Sequence, residues 1–159
     1  MNALATGPAS EDSHWLSFRI GTQIYAARLT EVSEVIRDDE LTPVPGSATD
    51  LLGVRHLRGH IVPVMDGRRR LGLPEQPEAD PQAVRIVMMS YAGQLLGLKV
   101  DAVGELLNSE GLDIAPPPPG RASRDDDPVC GVMSWQDGFV ALLDARRLYR
   151  LDKGDGDVA

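Results

Sequence analysis

The residues able to do chemistry in this chain are few and scattered. His56 and His60 stand four apart, the spacing at which a helix would aim two imidazoles at one metal ion. Between them lies Arg58-Gly59, a tight-turn dipeptide, so no helix and no metal site are expected there. The single cysteine, Cys130, lies in the apolar run Val129-Cys130-Gly131-Val132-Met133 and reads as a small core residue rather than a nucleophile. One cysteine also excludes an intrachain disulfide and argues against structural zinc. Asp125-Asp126-Asp127 lacks the spaced ligands and the glycine of a calcium loop. Arg68-Arg69-Arg70 is a short basic run in a chain of net charge −8, which argues against nucleic acid. It reads as complementing the C-terminal end of a short helix. No glycine-rich phosphate loop or nucleophile elbow is present, and no cofactor is implied. An enzyme reading would draw on residues such as Asp66, Asp101 and a histidine, and predicts a deep polar pocket that displaces their titrations. The remaining candidate is Arg58, a guanidinium at a hairpin tip, which reads either as a solvated surface arginine or as a group suited to a partner's carboxylate or carbonyl oxygens.

The elements that would carry Arg58 are β-strands. Two apolar runs, Gly53 to Leu57 and Ile61 to Met65, flank Arg58-Gly59 and predict a hairpin set deep in a β core. The chain has 159 residues, suiting one domain or two small fused lobes. It is 42% hydrophobic but only 4% aromatic, so its core must come from Val, Leu, Ile, Ala and Met. No run is long enough to span a membrane, and Met1 to Ala5 does not resemble a signal peptide. A reducing cytosol is the expected compartment, with any membrane association made through a partner. Residues 1–13 and 152–159 read as loose tails around an ordered 14–151.

Within that span, further hairpins are expected over 14–28, 84–100 and 129–143. Leu29, Val32, Val35 and Ile36 fall at helical spacing, predicting a turn or two of helix with Thr30 as cap and Glu31 and Glu34 outward. Asp101 to Leu107 shows the same change of period. A short helix or turn is expected over 67–73 and a terminal helix over 145–151, and Leu41 to Pro45 can be only an edge or irregular strand.

Much of this pattern occurs twice. Laying Gly53–Leu73 over Gly131–Leu151 without gaps gives seven identities in 21 pairs, among them Gly53/Gly131, Asp66/Asp144 and Leu73/Leu151. Random pairing would give roughly one or two. Gln23–Ile36 over Gln94–Leu107 matches Gln23/Gln94, Val32/Val103 and Glu34/Glu105. Each half is too small to bury a good core alone, so two small β-barrels sharing a core are expected. Asp66 and Asp144, present in both copies, read as helix caps. Arg58-Gly59 is matched by Gln136-Asp137, so barrel geometry does not demand the arginine.

The run Leu57-Arg58-Gly59-His60-Ile61-Val62-Pro63-Val64-Met65-Asp66-Gly67-Arg68 resembles the signature of the CheW-like domain family, usually Asn-Leu-Arg-Gly-x-Ile-x-Pro-Val-x-Asp-Leu-Arg. Gly97 to Val103 is similar to that family's Gly-x-x-Val-Asp-x-Val, and the resemblance extends over 14–151. It implies a mostly β fold of two intertwined five-stranded SH3-like barrels with short helices. It also implies a non-catalytic adaptor joining the cytoplasmic tip of methyl-accepting chemoreceptors to the histidine kinase CheA. Carried over by position, Arg58 and Gly59 with Gly53, Val32 and Glu34 would form the receptor-binding groove, and a helical hairpin would dock there. His56 stands where the family has Asn, and Gly67 where it has Leu, which bears on the choice of receptor. A scaffold of a pilus-motility or surface-sensing pathway, or a regulator outside receptor arrays, fits the same residues.

Overall fold

Tight turns and alternation build eleven strands among the described residues. The computed structural model describes residues 13–39, 41–46, 50–74, 80–117 and 127–148. The strands are β1 (His14–Ile20), β2 (Gln23–Arg28), β3 (Val32–Arg37), β4 (Leu51–Leu57), β5 (His60–Asp66), β6 (Arg85–Tyr91), β7 (Gln94–Val100), β8 (Ala102–Asn108), β9 (Ile114–Ala115), β10 (Val129–Trp135) and β11 (Gly138–Leu143). One short helix, α1 (Gly67–Arg70), follows β5, and residues 145–148 are helical after β11. The tail expectations, apart from Ser13, and residues 149–151 of the terminal helix lie outside the described residues.

The strands form two sheets, in the orders β8-β1-β2-β11-β10-β9 and β3-β6-β7-β5-β4. The duplication equates β1 to β5 with β6, β7, β8, β10 and β11. Each sheet therefore takes its first two repeat strands from one half of the chain and the other three from the opposite half. The lobes are intertwined, and neither is a chain half. Two parallel pairings, β11 with β2 and β5 with β7, stitch the exchange.

Alternation along the central strands explains the burial. In β6, Ile86 and Met88 turn into the second lobe, whereas Val87 and Met89 turn to the cluster between the lobes. In β11, Val140 and Leu142 fill the first lobe, while Ala141 and Leu143 join the shared cluster. Sheets apolar on both faces give two small interiors and one common core, which is why a chain with few aromatics can bury enough surface.

The repeat holds at the level of irregularities. A register shift falls between Leu51 and Gly53 on β4, and another between Val129 and Gly131 on β10. Thr42 bridges Val54 while Ala115 pairs Val132, so a crossing segment lies over each glycine. Asp66 Oδ1 accepts from the Arg68 N–H at 2.9 Å, and Asp144 Oδ1 from the Arg146 N–H at 2.9 Å. Both aspartates are the expected caps.

Four expectations need correction. Residues 29–36 are not a helix: Leu29–Glu31 is a single 3-10 turn, its N-cap residue is Arg28 and Thr30 lies inside it, and β3 follows. The reason is a bulge between Val32 and Glu34, which shifts the strand's alternation by one residue. Val32, Val35 and Ile36 then mimic helical spacing. A bulge opposite Leu16 and Phe18 does the same to Val103, Leu106 and Leu107 in β8. Glu31 is not outward either, since its Oε1 is buried. Finally, the basic run does more than complement a helix end. Arg68 Nη2–H donates to Asp101 Oδ2 at 2.7 Å in a largely buried pair, and Arg70 Nη2–H donates to the Arg147 carbonyl at 2.7 Å.

Candidate functional site

The Arg58-Gly59 turn has φ of 50° and 83°, both left-handed, as a two-residue hairpin loop of this hand requires. A non-glycine residue there carries a steric cost of about 1–2 kcal/mol. Ala92 and Gln136 accept the same conformation at two of the other three hairpin tips, with φ of 53° and 54°. The hairpin is not uniformly deep: Val62, Val64 and Met65 are buried, but His60 is exposed and Ile61 is 64% exposed. The tip stands clear of the core because β4 is the edge of its sheet and the buried part of β5 lies beyond the tip, alongside β7.

Glu34 follows the bulge of β3, the opposite edge strand of the same sheet. Its Oε1 accepts from Arg58 Nη2–H at 2.7 Å, with side-chain exposures of 22% and 71%. An ion pair this exposed adds only about 0–1 kcal/mol to stability. Arg58 has donors to spare, since a guanidinium carries five. The pair therefore presents an accessible, orientated charge at a lobe edge. Val32 lies two residues before Glu34, half-buried against the shared core. Gly53 is buried, and a Cβ built on it would meet the Thr42 carbonyl oxygen at 2.5 Å. Close backbone approach by itself accounts for that glycine. Arg58, Gly59 and Glu34 thus come together, Val32 joins them through β3, and Gly53 lies inside the supporting hairpin.

Sequence reasoning missed Arg55. Its Nη1–H groups donate to the carbonyls of Arg37 at 3.0 Å and Asp39 at 2.7 Å, and to Asp39 Oδ1 at 2.8 Å. Its side chain is 14% exposed. Arg55 lies two residues from Leu57 on β4, and an arginine aligned with an inward apolar position was the available signal. Together Arg55 and Arg58 join β4 to β3 by side chains and close the sheet on itself.

The chemistry elsewhere is structural. Burial pushes the Glu31 carboxyl above its ordinary value of 4.5, Arg28 opposes this, Asp144 adds to it, and the Ala145 backbone N–H opposes it. Burial, then Asp144, pushes the Cys130 thiol up, against the pull of Arg28 and Arg147, so the thiolate nucleophile is disfavoured. A groove of about 490 Å³ runs beside β5, lined by residues including His60, Ile61, Pro63, Gln94, Leu96 and Leu148. Neither Glu31 nor Cys130 lines it. Among the described residues no three His, Cys, Asp or Glu side chains are grouped to hold a metal ion.

Comparison with known proteins agrees with this architecture. The family model of the CheW-like domain matches residues 14–153. The chain is 28% identical over 130 residues to a chemotaxis protein CheW of Rhizobium meliloti (strain 1021), covering 81% of this chain and 82% of the relative. It is 29% identical over 136 residues to that of Bacillus subtilis (strain 168), covering 86% and 85%. The crystal structure of the scaffolding protein TtCheW from Thermoanaerobacter tengcongensis superposes with a TM-score of 0.76 at 27% identity, covering 89% of this chain and 94% of that one. The chain belongs to the CheW-like domain family, whose scaffolding proteins act through contacts and catalyse no reaction.

Proposed function

We propose that this protein is a chemosensory adaptor that couples the cytoplasmic tip of methyl-accepting chemoreceptors to a CheA-type histidine kinase. In this reading it works in the cytoplasm and reaches receptor arrays at the membrane by binding. No described helix is long and apolar enough to cross a membrane. The receptor surface comprises Val32, Glu34, Arg58 and Gly59, with Gly53 buried behind them in the supporting hairpin. The observation that carries the reading is the Arg58–Glu34 pair, 2.7 Å apart at a lobe edge. The repeat equivalent of Arg58 is Gln136, so the duplicated scaffold has no need of the pair. Arg58 offers unspent donors to a carboxylate or a helix C-terminus on the receptor hairpin, and Glu34 fixes its orientation. Gly59 permits the turn, and Gly53 permits the backbone approach beneath it.

The test is binding of purified wild-type and Arg58→Glu protein to a soluble receptor-tip fragment from the same organism. Charge reversal should weaken binding at least about tenfold, or 1.4 kcal/mol, with an unchanged melting curve. Equal binding by both proteins would refute the assigned surface. Co-purification from the native cell then separates a flagellar pathway from one serving pilus motility or surface sensing, by naming the kinase and receptor bound.

A further inference from the structure

We propose that Arg55 is the positioning residue of this docking surface: it latches β4 to β3 so that Arg58 and Glu34 are held in register before a partner arrives. The proposal rests on the receptor-docking reading above and identifies what prepares that site.

The seam between β3 and β4 is unlike the rest of its sheet. The two strands are the sheet's opposite edges, and the strand order gives them no backbone ladder to each other. Edge carbonyls left in this way need donors. Arg55 supplies one to the Asp39 carbonyl and carboxylate, and adds a second to the Arg37 carbonyl, which also accepts from the Asp39 N–H at 3.1 Å; all three Arg55 bonds come from Nη1. Along the same seam Arg58 meets Glu34. The contacts run in opposite directions on the two strands: 55 to 58 on one, 39 to 34 on the other. Fixing Arg55 therefore sets how far β4 can slide past β3, and so where the Arg58 guanidinium lies.

The duplication supplies an internal control. The repeat equivalent of Arg55 is Met133, fully buried with 0% exposure in the first lobe's own core beside Trp15 and Leu107. The scaffold closes without an arginine at this position. A partly buried arginine whose Nε is buried without a partner is an expensive choice for packing alone. A forked, charged group that binds carbonyls makes a directional latch, which an apolar side chain cannot. Preorganisation of this kind strengthens binding by lowering the ordering cost paid on association.

The experiment uses Arg55→Met, which installs the residue the other lobe uses, and Asp39→Asn, which weakens the latch from the β3 side. Each is made in wild-type and Arg58→Ala backgrounds. Binding to the soluble receptor-tip fragment and thermal unfolding are measured for all. The expected result is about fivefold weaker binding for both latch variants at a wild-type melting temperature, with no further loss in the Arg58→Ala background. Wild-type affinity in both latch variants overturns the proposal. So does a loss that multiplies with that of Arg58→Ala, or one that appears only where the melting temperature falls. If Arg58→Ala itself binds normally, the docking reading fails, and that outcome is distinct from failure of the latch alone.

Discussion

Replacing Gly53 with alanine would put a methyl carbon 2.5 Å from the Thr42 oxygen, 2.9 Å from its carbonyl carbon and 3.2 Å from the Pro43 Cα. All three are backbone atoms, so relief requires moving the crossing segment. That segment is held to β4 by Thr42 N–H to the Val54 carbonyl and Val54 N–H to the Thr42 carbonyl, each 2.9 Å. Losing both bonds costs about 1 kcal/mol apiece, and displacement of packed backbone raises the total to about 2–4 kcal/mol. For a chain of this size that lowers Tm by roughly 4–16 °C. Gly131→Ala is the matched control. There the Cβ would meet the Ala115 oxygen at 3.0 Å and the Ile114 Cγ2 at 3.2 Å, and Ile114 is an exposed side chain free to turn away. Its cost should stay under about 1 kcal/mol. Calorimetry or a urea melt on the two variants reads the difference. A Gly53→Ala protein melting within about 2 °C of wild type would refute the close-approach explanation. If that same protein also lost receptor-tip binding, Gly53 would be a contact residue and not a structural one.

Three further outcomes follow from the same geometry. Asp101→Ala removes the acceptor of both the Gly21 N–H and Arg68 Nη2–H, each 2.7 Å away, and strands a guanidinium that is only 12% exposed. A urea melt should show a loss of about 3–5 kcal/mol, and a loss below 1 kcal/mol would contradict the buried pair. Glu31→Gln keeps an acceptor for the Ala145 N–H while removing a charge that burial and Asp144 disfavour. A carboxyl raised in the folded state stabilises fully while protonated, below its ordinary 4.5, and that contribution is lost as pH rises through the folded-state value. The variant should therefore melt above wild type at neutral pH, with the gap closing as pH falls toward 4.5, and a pH-independent gap would contradict this. Cys130 should react with iodoacetamide far more slowly in the native protein than in urea, because burial and Asp144 disfavour its thiolate; equal rates would show the thiol to be open.

Most of the hairpins were legible because their signals are local. Gly21, Gly59 and Gly93 each take a positive φ at a turn between two apolar runs, and the paired strands follow directly. The duplication was legible because both copies keep residues for geometric reasons, as Gly53 and Gly131 under crossing segments and Asp66 and Asp144 at helix caps show. The bulged strands were not legible. One inserted residue in β3 and in β8 turns a period of two into apparent helical spacing; nothing in β3 marks the insertion, and in β8 its only mark is Gly104, which stands at the bulge. Arg55 was missed for a related reason. Its partners are the carbonyls of Arg37 at the end of β3 and of Asp39 just beyond it, and which strand lies across an open edge is decided by tertiary closure. Arg58 and Glu34 were both singled out, but their pairing was not, since it depends on that same closure.

The exchange of strands bears on why the two lobes can differ. Because each sheet draws on both halves, the shared core constrains the common strands from both sides, and repeat positions there stay apolar, as Met65/Leu143 and Val62/Val140 do. The edge seams are under no such constraint. In the first lobe, Leu107 of β8 packs with Met133 and Trp135 of β10 in one apolar cluster. In the second, Ile36 and Leu57 keep the apolar contact, but Arg55 and Arg58 add a charged closure on top of it. An apolar seam is strongest when water is excluded, and it offers nothing for a polar partner to compete for. A charged seam at the surface is individually weak and exchangeable, so a partner's carboxylate can share Arg58 without unfolding the lobe. The same backbone thus yields one lobe closed by burial and one closed by exchangeable charge, and the second is the lobe suited to reversible docking.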